Sequence, residues 1–277
     1  MKQKNVRVLV AEDNLVSQRV AQRQIQQLGC VADVVANGME AVEALTRIPY
    51  AMVFMDCQMP EMDGYNATAE IRRREACLRR QGDRKHTPII ALTAQGLESE
   101  REKCLAAGMD DYLSKPVKPD ALRRVVEYWL LKDHAQKAPD RTFTSSRAAE
   151  GRKEDRRAEA ADADSLPVDM KTLRDVTDGT EEGVREMVDL YLKQTRELLE
   201  QLAAGLRKGD AVEIKRVAHK CAGSSAICGA THIVPPLREL ERMGNEGCLD
   251  GALEIGSKAA REFVRIEAFL QSHIQRA

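Results

Sequence analysis

No apolar run in this chain of 277 residues approaches the roughly 20 residues that a membrane-spanning helix requires, so no span is expected. Paired cysteines are also missing. The seven cysteines are scattered and odd in number, without a Cys-x-x-Cys, which favours reduced thiols over a disulfide framework. No ligand pair has zinc spacing. Neither sign of charge is in excess. With 43 Lys and Arg against 44 Asp and Glu, nothing in the bulk electrostatics points to nucleic acid or an anionic membrane. Residues 1–5 lead into an apolar run with no signal-peptide core, so a cytoplasmic location is expected. Gly-rich phosphate loops and nucleotide motifs are absent, which argues against ATP hydrolysis by this chain.

What the chain does have is length for two cores and two contrasting halves. In residues 1–131, short apolar runs alternate with helical periodicity. Strands are predicted at 6–11, 31–35, 52–56, 88–94 and around 111–113, and helices at 15–28, 39–48, 63–80, 99–107 and 119–131. Five strands alternating with five helices predict an α/β, doubly wound, five-stranded parallel sheet covered on both faces. The stretch Met52-Val53-Phe54-Met55-Asp56 is the clearest element. Four apolar residues run into one carboxylate, with Pro60 and Asp63-Gly64 following, as in a strand buried on both faces. Asp56 then lies at the carboxyl end of a strand, where open α/β sheets place their chemistry. An Asp capping a turn is the plainer reading of that residue alone.

The company of Asp56 changes the weighting. Glu12, Asp13, Asp56, Thr93 and Lys115 all fall at the carboxyl ends of predicted strands. Three carboxylates in one site repel one another unless a cation is present, and hard oxygen ligands with room for water suit Mg²⁺. Lys115 offers a point charge and Thr93 a hydroxyl to phosphoryl oxygens. Together they describe a carboxylate nucleophile that accepts a phosphoryl group.

The motifs Glu12-Asp13-Asn14, Met55-Asp56-Cys57-Gln58-Met59-Pro60-Glu61-Met62-Asp63-Gly64, Ala91-Leu92-Thr93-Ala94 and Lys115-Pro116 resemble those of response-regulator receiver domains, flavodoxin-like in fold. The resemblance implies phosphorylation of Asp56, with Mg²⁺ on Glu12, Asp13, Asp56 and the main-chain carbonyl of Gln58. It also implies a switch in which Thr93 moves toward the phosphoryl group and Tyr112 reorients, and a cis Lys115-Pro116 bond.

Between residues 132 and 166 the apolar pattern vanishes into charged and small polar residues, and a flexible charged linker is expected. Residues 167–277 read as helices throughout. A stripe from Val184 to Leu206 marks one long helix stopped by Gly209, shorter helices are predicted at 210–225 and 237–243, and a last one at 253–274. An antiparallel four-helix bundle is expected. On the 210–225 helix, Ile214, Val217, Ala218 and Cys221 share a buried face, which turns His219 toward solvent with Gly223 one turn ahead. A surface histidine is the plain reading, and an accessible, nucleophilic imidazole the functional one.

The run Ala218-His219-Lys220-Cys221-Ala222-Gly223-Ser224-Ser225, followed by Gly229-Ala230, resembles the histidine-containing phosphotransfer (Hpt) domain, and implies phosphorylation of His219 by exchange with an aspartyl phosphate. Two departures stand out. Ala222 occupies the position where the family has Lys, and Lys215, one turn before His219, is the expected replacement. Val234-Pro235-Pro236 falls where the family continues a helix, so a break, a kink or a helix first turn is expected.

The expected function is a phosphorelay intermediate. Asp56, with Lys115 and Thr93, accepts a phosphoryl group from a sensor histidine kinase, and His219 exchanges one with a receiver of the same or another protein. The alternatives are a DNA-binding response regulator with a helical output domain, or the C-terminal part of a hybrid histidine kinase. The 16 basic and 18 acidic residues of 168–277, net −2, disfavour DNA binding.

Overall fold

The computed structural model describes residues 6–80, 86–93, 98–134 and 166–274. The expected linker lies almost wholly outside the described residues, as does Ala94. The first half alternates β1 (Arg7–Ala11), α1 (Leu15–Gln27), β2 (Val31–Val35), α2 (Gly38–Arg47), β3 (Met52–Asp56), α3 (Gly64–Arg80), β4 (Ile89–Thr93), α4 (Glu98–Ala106), β5 (Asp111–Ser114) and α5 (Pro119–His134). All pairings are parallel and the strand order is 2-1-3-4-5, which puts the topological switch point between β1 and β3.

Strand alternation assigns the two layers. Val8, Val10, Met52, Phe54, Ile90 and Leu92 face Ile25 of α1 and Leu122 and Val126 of α5. Leu9, Ala11, Val53, Met55, Ile89 and Ala91 face Ala41, Ala67, Ile71 and Cys104 on α2, α3 and α4. Every residue of β3 and β4 is buried, the physical reason these strands read as unbroken apolar runs.

The second half contains α6 (Met170–Asp175), α7 (Glu181–Lys208), α8 (Ala211–Ile227), a 3₁₀ turn (Thr231–Ile233), α9 (Val234–Glu246) and α10 (Ala252–Ile274). Helices α7 to α10 form the bundle. Thr180 caps α7 by accepting from the Gly183 N–H, and Gly209, at φ 68°, ends it. The prolines mark a helix start: they occupy the first turn of α9, where no intrahelical donor is lost. The short helix α6 escaped the sequence reading, being only 6 residues long.

The halves are docked. Val16 and Val20 of α1, 0% and 6% exposed, belong to the same apolar cluster as Tyr191, Val217 and Ala218 of the bundle. Around them the Val16 N–H donates to Gln194 Oε1 at 3.3 Å, and Arg19 and Arg23 both pair with Glu186 of α7 at 3.1 and 3.0 Å.

Candidate functional site

The carboxylate site forms where β1, β3 and β5 end on one edge. Parallel pairing aligns Ala11 with Met55 and Asp56 with Leu92, so Glu12 and Asp13 arrive beside Asp56 although 43 positions separate Asp13 from it. Oxygens of Glu12, Asp13 and Asp56 lie within 4.8 Å of one another. Lys115 Nζ donates to Glu12 Oε2 at 2.6 Å and pairs with Asp56 Oδ2 at 2.8 Å. Burial pushes the Glu12 carboxyl above the usual carboxylate range; Lys115 opposes this, and the Asp56 and Asp13 charges add to it. Burial alone would lower Lys115, but Glu12 and Asp56 hold its ammonium above the ordinary value. One lysine against three close carboxylates leaves room for a divalent cation, and an all-oxygen donor set suits Mg²⁺.

Nearby residues sit where the sequence placed them. Thr93 is buried at the end of β4, paired in register with Ser114 next to Lys115. Tyr112 is half-buried on β5, against the cluster of the α2–α4 layer. Gln58 is exposed, and its N–H donates to Asp56 Oδ1 at 3.3 Å. The Lys115-Pro116 bond is cis. Gly64 is required by contact: a Cβ there would meet the Asp56 carbonyl oxygen at 2.1 Å.

The second site is carried by α8 and α9. Ile214, Val217, Ala218 and Cys221 are fully buried, as their spacing predicts, and His219 lies off that face. It is not open to water, however. Its side chain is 16% exposed, because α9 flanks it and the first half covers it, neither of which helical periodicity reveals. His219 Nδ1 lies 2.6 Å from Glu241 Oε1. A carboxylate only accepts, so Nδ1 carries the proton, which in the neutral ring leaves the lone pair on Nε2. Arg238 Nη1 donates to Glu241 Oε2 at 2.6 Å. Burial would raise the Glu241 carboxyl; its bonds to His219 and Arg238 hold it below the usual range instead. Gly244 permits this closeness, since a Cβ there would meet the Ala211 carbonyl at 2.6 Å and Lys215 N at 2.7 Å.

Lys215 is not brought to the site. Its Nζ donates to Asn245 Oδ1 at 2.8 Å, toward the far end of α9. Gly223 does border the site, with open space where a Cβ would stand.

Asp56 and His219 line one cleft. With Glu12, Asp13, Lys115, Lys220, Gly223 and Arg238 they line a partly open cavity of about 40 Å³. Lys220 Nζ donates to Asp13 Oδ2 at 3.0 Å, and Asn14, whose Oδ1 caps α1, donates through Nδ2 to the Lys220 carbonyl at 2.9 Å. Sequence reasoning missed Asn14, Gln194, Lys220, Arg238 and Glu241 as site residues. Only the positions of Asn14 beside Glu12-Asp13 and of Lys220 beside His219 carried a signal.

Comparison with known families agrees with both halves. The response regulator receiver domain matches residues 8–127 and the Hpt domain matches residues 186–275. The chain is a receiver–Hpt fusion of two-component phosphorelay signalling. Among relatives of this fusion, the Dictyostelium discoideum hybrid signal transduction protein dokA is 40% identical over 126 residues, covering 46% of this chain. Probable histidine kinase 2 of Oryza sativa subsp. indica is 41% identical over 134 residues, covering 43%. The receiver–Hpt chain spans only 7% and 12% of those proteins' lengths. Among solved structures, the receiver domain of sensor histidine kinase PA1611 from Pseudomonas aeruginosa, with magnesium in its active-site cleft, is 43% identical with a TM-score of 0.40. It covers 46% of this chain and 98% of its own. A chain of the co-crystal structure of the Saccharomyces cerevisiae histidine phosphotransfer signaling protein Ypd1 with the receiver domain of its downstream response regulator Ssk1 matches at 28% identity and TM-score 0.45, over 47% of this chain and 92% of the other. Among the described residues of the receiver–Hpt chain, no helix is long and apolar enough to cross a membrane.

Proposed function

We propose that the receiver and Hpt halves exchange a phosphoryl group with each other, between Asp56 and His219 of one chain. The observation that carries this reading is the shared cleft: the carboxylate and the imidazole border the same small cavity, with the Lys220–Asp13 and Asn14–Lys220 contacts bridging the halves beside it. Covalent connection makes the encounter intramolecular, so its rate does not depend on chain concentration.

In the step, the Nε2 lone pair of His219 attacks phosphorus while the bond from phosphorus to the Asp56 oxygen breaks, its electron pair returning to the carboxylate. The ring keeps its Nδ1 proton and becomes a cationic phosphoimidazolium, whose charge Glu241 offsets at 2.6 Å. Lys115 stays on the Asp56 side and neutralises the carboxylate that leaves. Glu12, Asp13 and Asp56, with the Gln58 carbonyl, would hold Mg²⁺, which supplies positive charge for the phosphoryl oxygens. A sensor histidine kinase in the cytoplasm loads Asp56 in this reading, and receivers of other proteins compete for His219.

Docking of this kind is reversible. A second, mostly apolar cavity of about 380 Å³ lies along the same interface, and both polar atoms of buried Gln24 are unpartnered beside it. Such imperfect packing weakens association. The Arg19 and Arg23 pairs with exposed Glu186 add at most about 1 kcal/mol each.

The test is order of reaction. With Asp56 loaded by acetyl phosphate and Mg²⁺, label is expected to pass to His219 at a rate independent of chain concentration. A mixture of Asp56→Ala and His219→Ala chains should transfer only in proportion to concentration. If the mixed chains matched the intact chain at micromolar concentration, exchange within one chain would be wrong.

A further inference from the structure

The Hpt half lacks the lysine that its family carries three residues after the histidine, and Ala222 stands there, fully buried. A phosphoryl group arriving at Nε2 of His219 still brings negative charge, which a low-dielectric cleft penalises unless a cation meets it. Three cations of the Hpt half come into question. Lys215 is bound to Asn245 and does not border the cleft. Lys220 does border it, but its ammonium is committed to Asp13 on the receiver side. Arg238 borders the cleft with Asp56, Lys115 and His219, and its Nη1 comes within 3.4 Å of the imidazole Nδ1.

We propose that Arg238, delivered from α9 and not from the histidine-bearing helix, is the cation that receives the phosphoryl group on the Hpt side. This deepens the exchange reading above and rests on it. One guanidinium nitrogen is anchored to Glu241 Oε2. Among the described residues no other hydrogen bond engages Nε or Nη2 of Arg238, so N–H groups remain for phosphoryl oxygens. A planar fork with several donors matches a phosphoryl group in a way that a single ammonium does not. The anchor also fixes where the fork sits, because the same carboxylate holds the imidazole. Arg238 and Lys115 then flank the transferring group from opposite domains, one against the incoming nitrogen and one against the departing oxygen.

The experiment follows label from Asp56 to His219 in the full chain, normalised to Asp56 loading, for the parent protein, Arg238→Ala, Arg238→Lys and Lys215→Ala. The expected result is a loss on the order of 100-fold in Arg238→Ala, a smaller loss in Arg238→Lys, and partial recovery of Arg238→Ala on adding millimolar guanidinium. A transfer rate in Arg238→Ala within twofold of the parent, or a larger loss in Lys215→Ala, would overturn the assignment. So would a changed His219 tautomer in the ¹⁵N spectrum of Arg238→Ala, which would show Arg238 acting only through Glu241. Failure of the parent chain itself to label His219 strikes instead at the exchange reading, so the two outcomes are separable.

Discussion

Asp56 is held by a sheet edge and His219 by the crossing of two helices, and the two constructions differ in how much of their surroundings travels with the nearby sequence. At the sheet edge, parallel register gathers residues 12, 13, 56, 93 and 115 because each is the last residue of its strand or within two of it. The position in the motif and the position in space are therefore the same information. In the bundle, the partners of His219 are 19 and 22 residues away on α9. They reach it only because Gly244 lets two helices touch backbone to backbone. Strand ends converge by topology; helix faces converge by packing.

That contrast can be broken most severely by removing either reacting group. Asp56→Ala is expected to abolish acetyl-phosphate labelling of the receiver, whereas His219→Ala should leave Asp56 labelled and abolish onward transfer, both read by acid- and base-stability of the label. Next in size, Lys115→Ala should slow Asp56 phosphorylation by on the order of 100-fold, followed by loading kinetics at fixed Mg²⁺. Val16→Asp probes the docking between the two sites. An aspartate in place of a valine with 0% exposure puts a charge into the shared apolar cluster. The halves should separate, with transfer to His219 slowed roughly 10- to 100-fold at micromolar chain by lost effective concentration. Amide chemical shifts of α7 and α8 should change while those of β1–β5 hold.

The smallest effect sharpens the comparison by its distance from the cleft. His86 is raised to about 9 by Asp110 and then by Glu75, in a cluster where Arg72 binds both acids. A raised histidine contributes stability that is complete below its unfolded value of about 6.5 and is lost as pH rises through about 9. Its side chain is 41% exposed, so solvent screens much of this. His86→Gln should therefore lower the receiver's Tm by a few degrees at pH 6 and hardly at all at pH 10, by calorimetry. A change in transfer rate would show that this far cluster reaches the cleft.

Particular elements show how far sequence reading carried. The strand-helix alternation, a parallel sheet covered on both faces and the placement of Asp56, Glu12, Asp13, Thr93 and Lys115 at strand ends were legible in the sequence, and of the three outcomes open for the proline pair the structure shows the helix start. Helix α1 shows the opposite case. Its apolar positions support one predicted helix, yet Ile25 packs under its own sheet while Val16 and Val20 pack into the bundle. Periodicity says that a position is buried, not against what. The same limit explains His219, which lies off the bundle core as predicted but is largely covered by another helix and another domain, and Lys215, which shares a helix with His219 but turns to Asn245.

The order of residues along the chain determined the two folds and the carboxylate cluster, because local periodicity and strand termini encode them, while the proposed phosphoryl-bearing roles of Asp56 and His219 came from the resemblance of their motifs to receiver and Hpt domains. Only the tertiary structure decided that the two chemistries face one cleft, and that Arg238 and Glu241 surround the imidazole. Those contacts depend on how finished surfaces pack, and a packing partner leaves no periodic trace in the segment it covers.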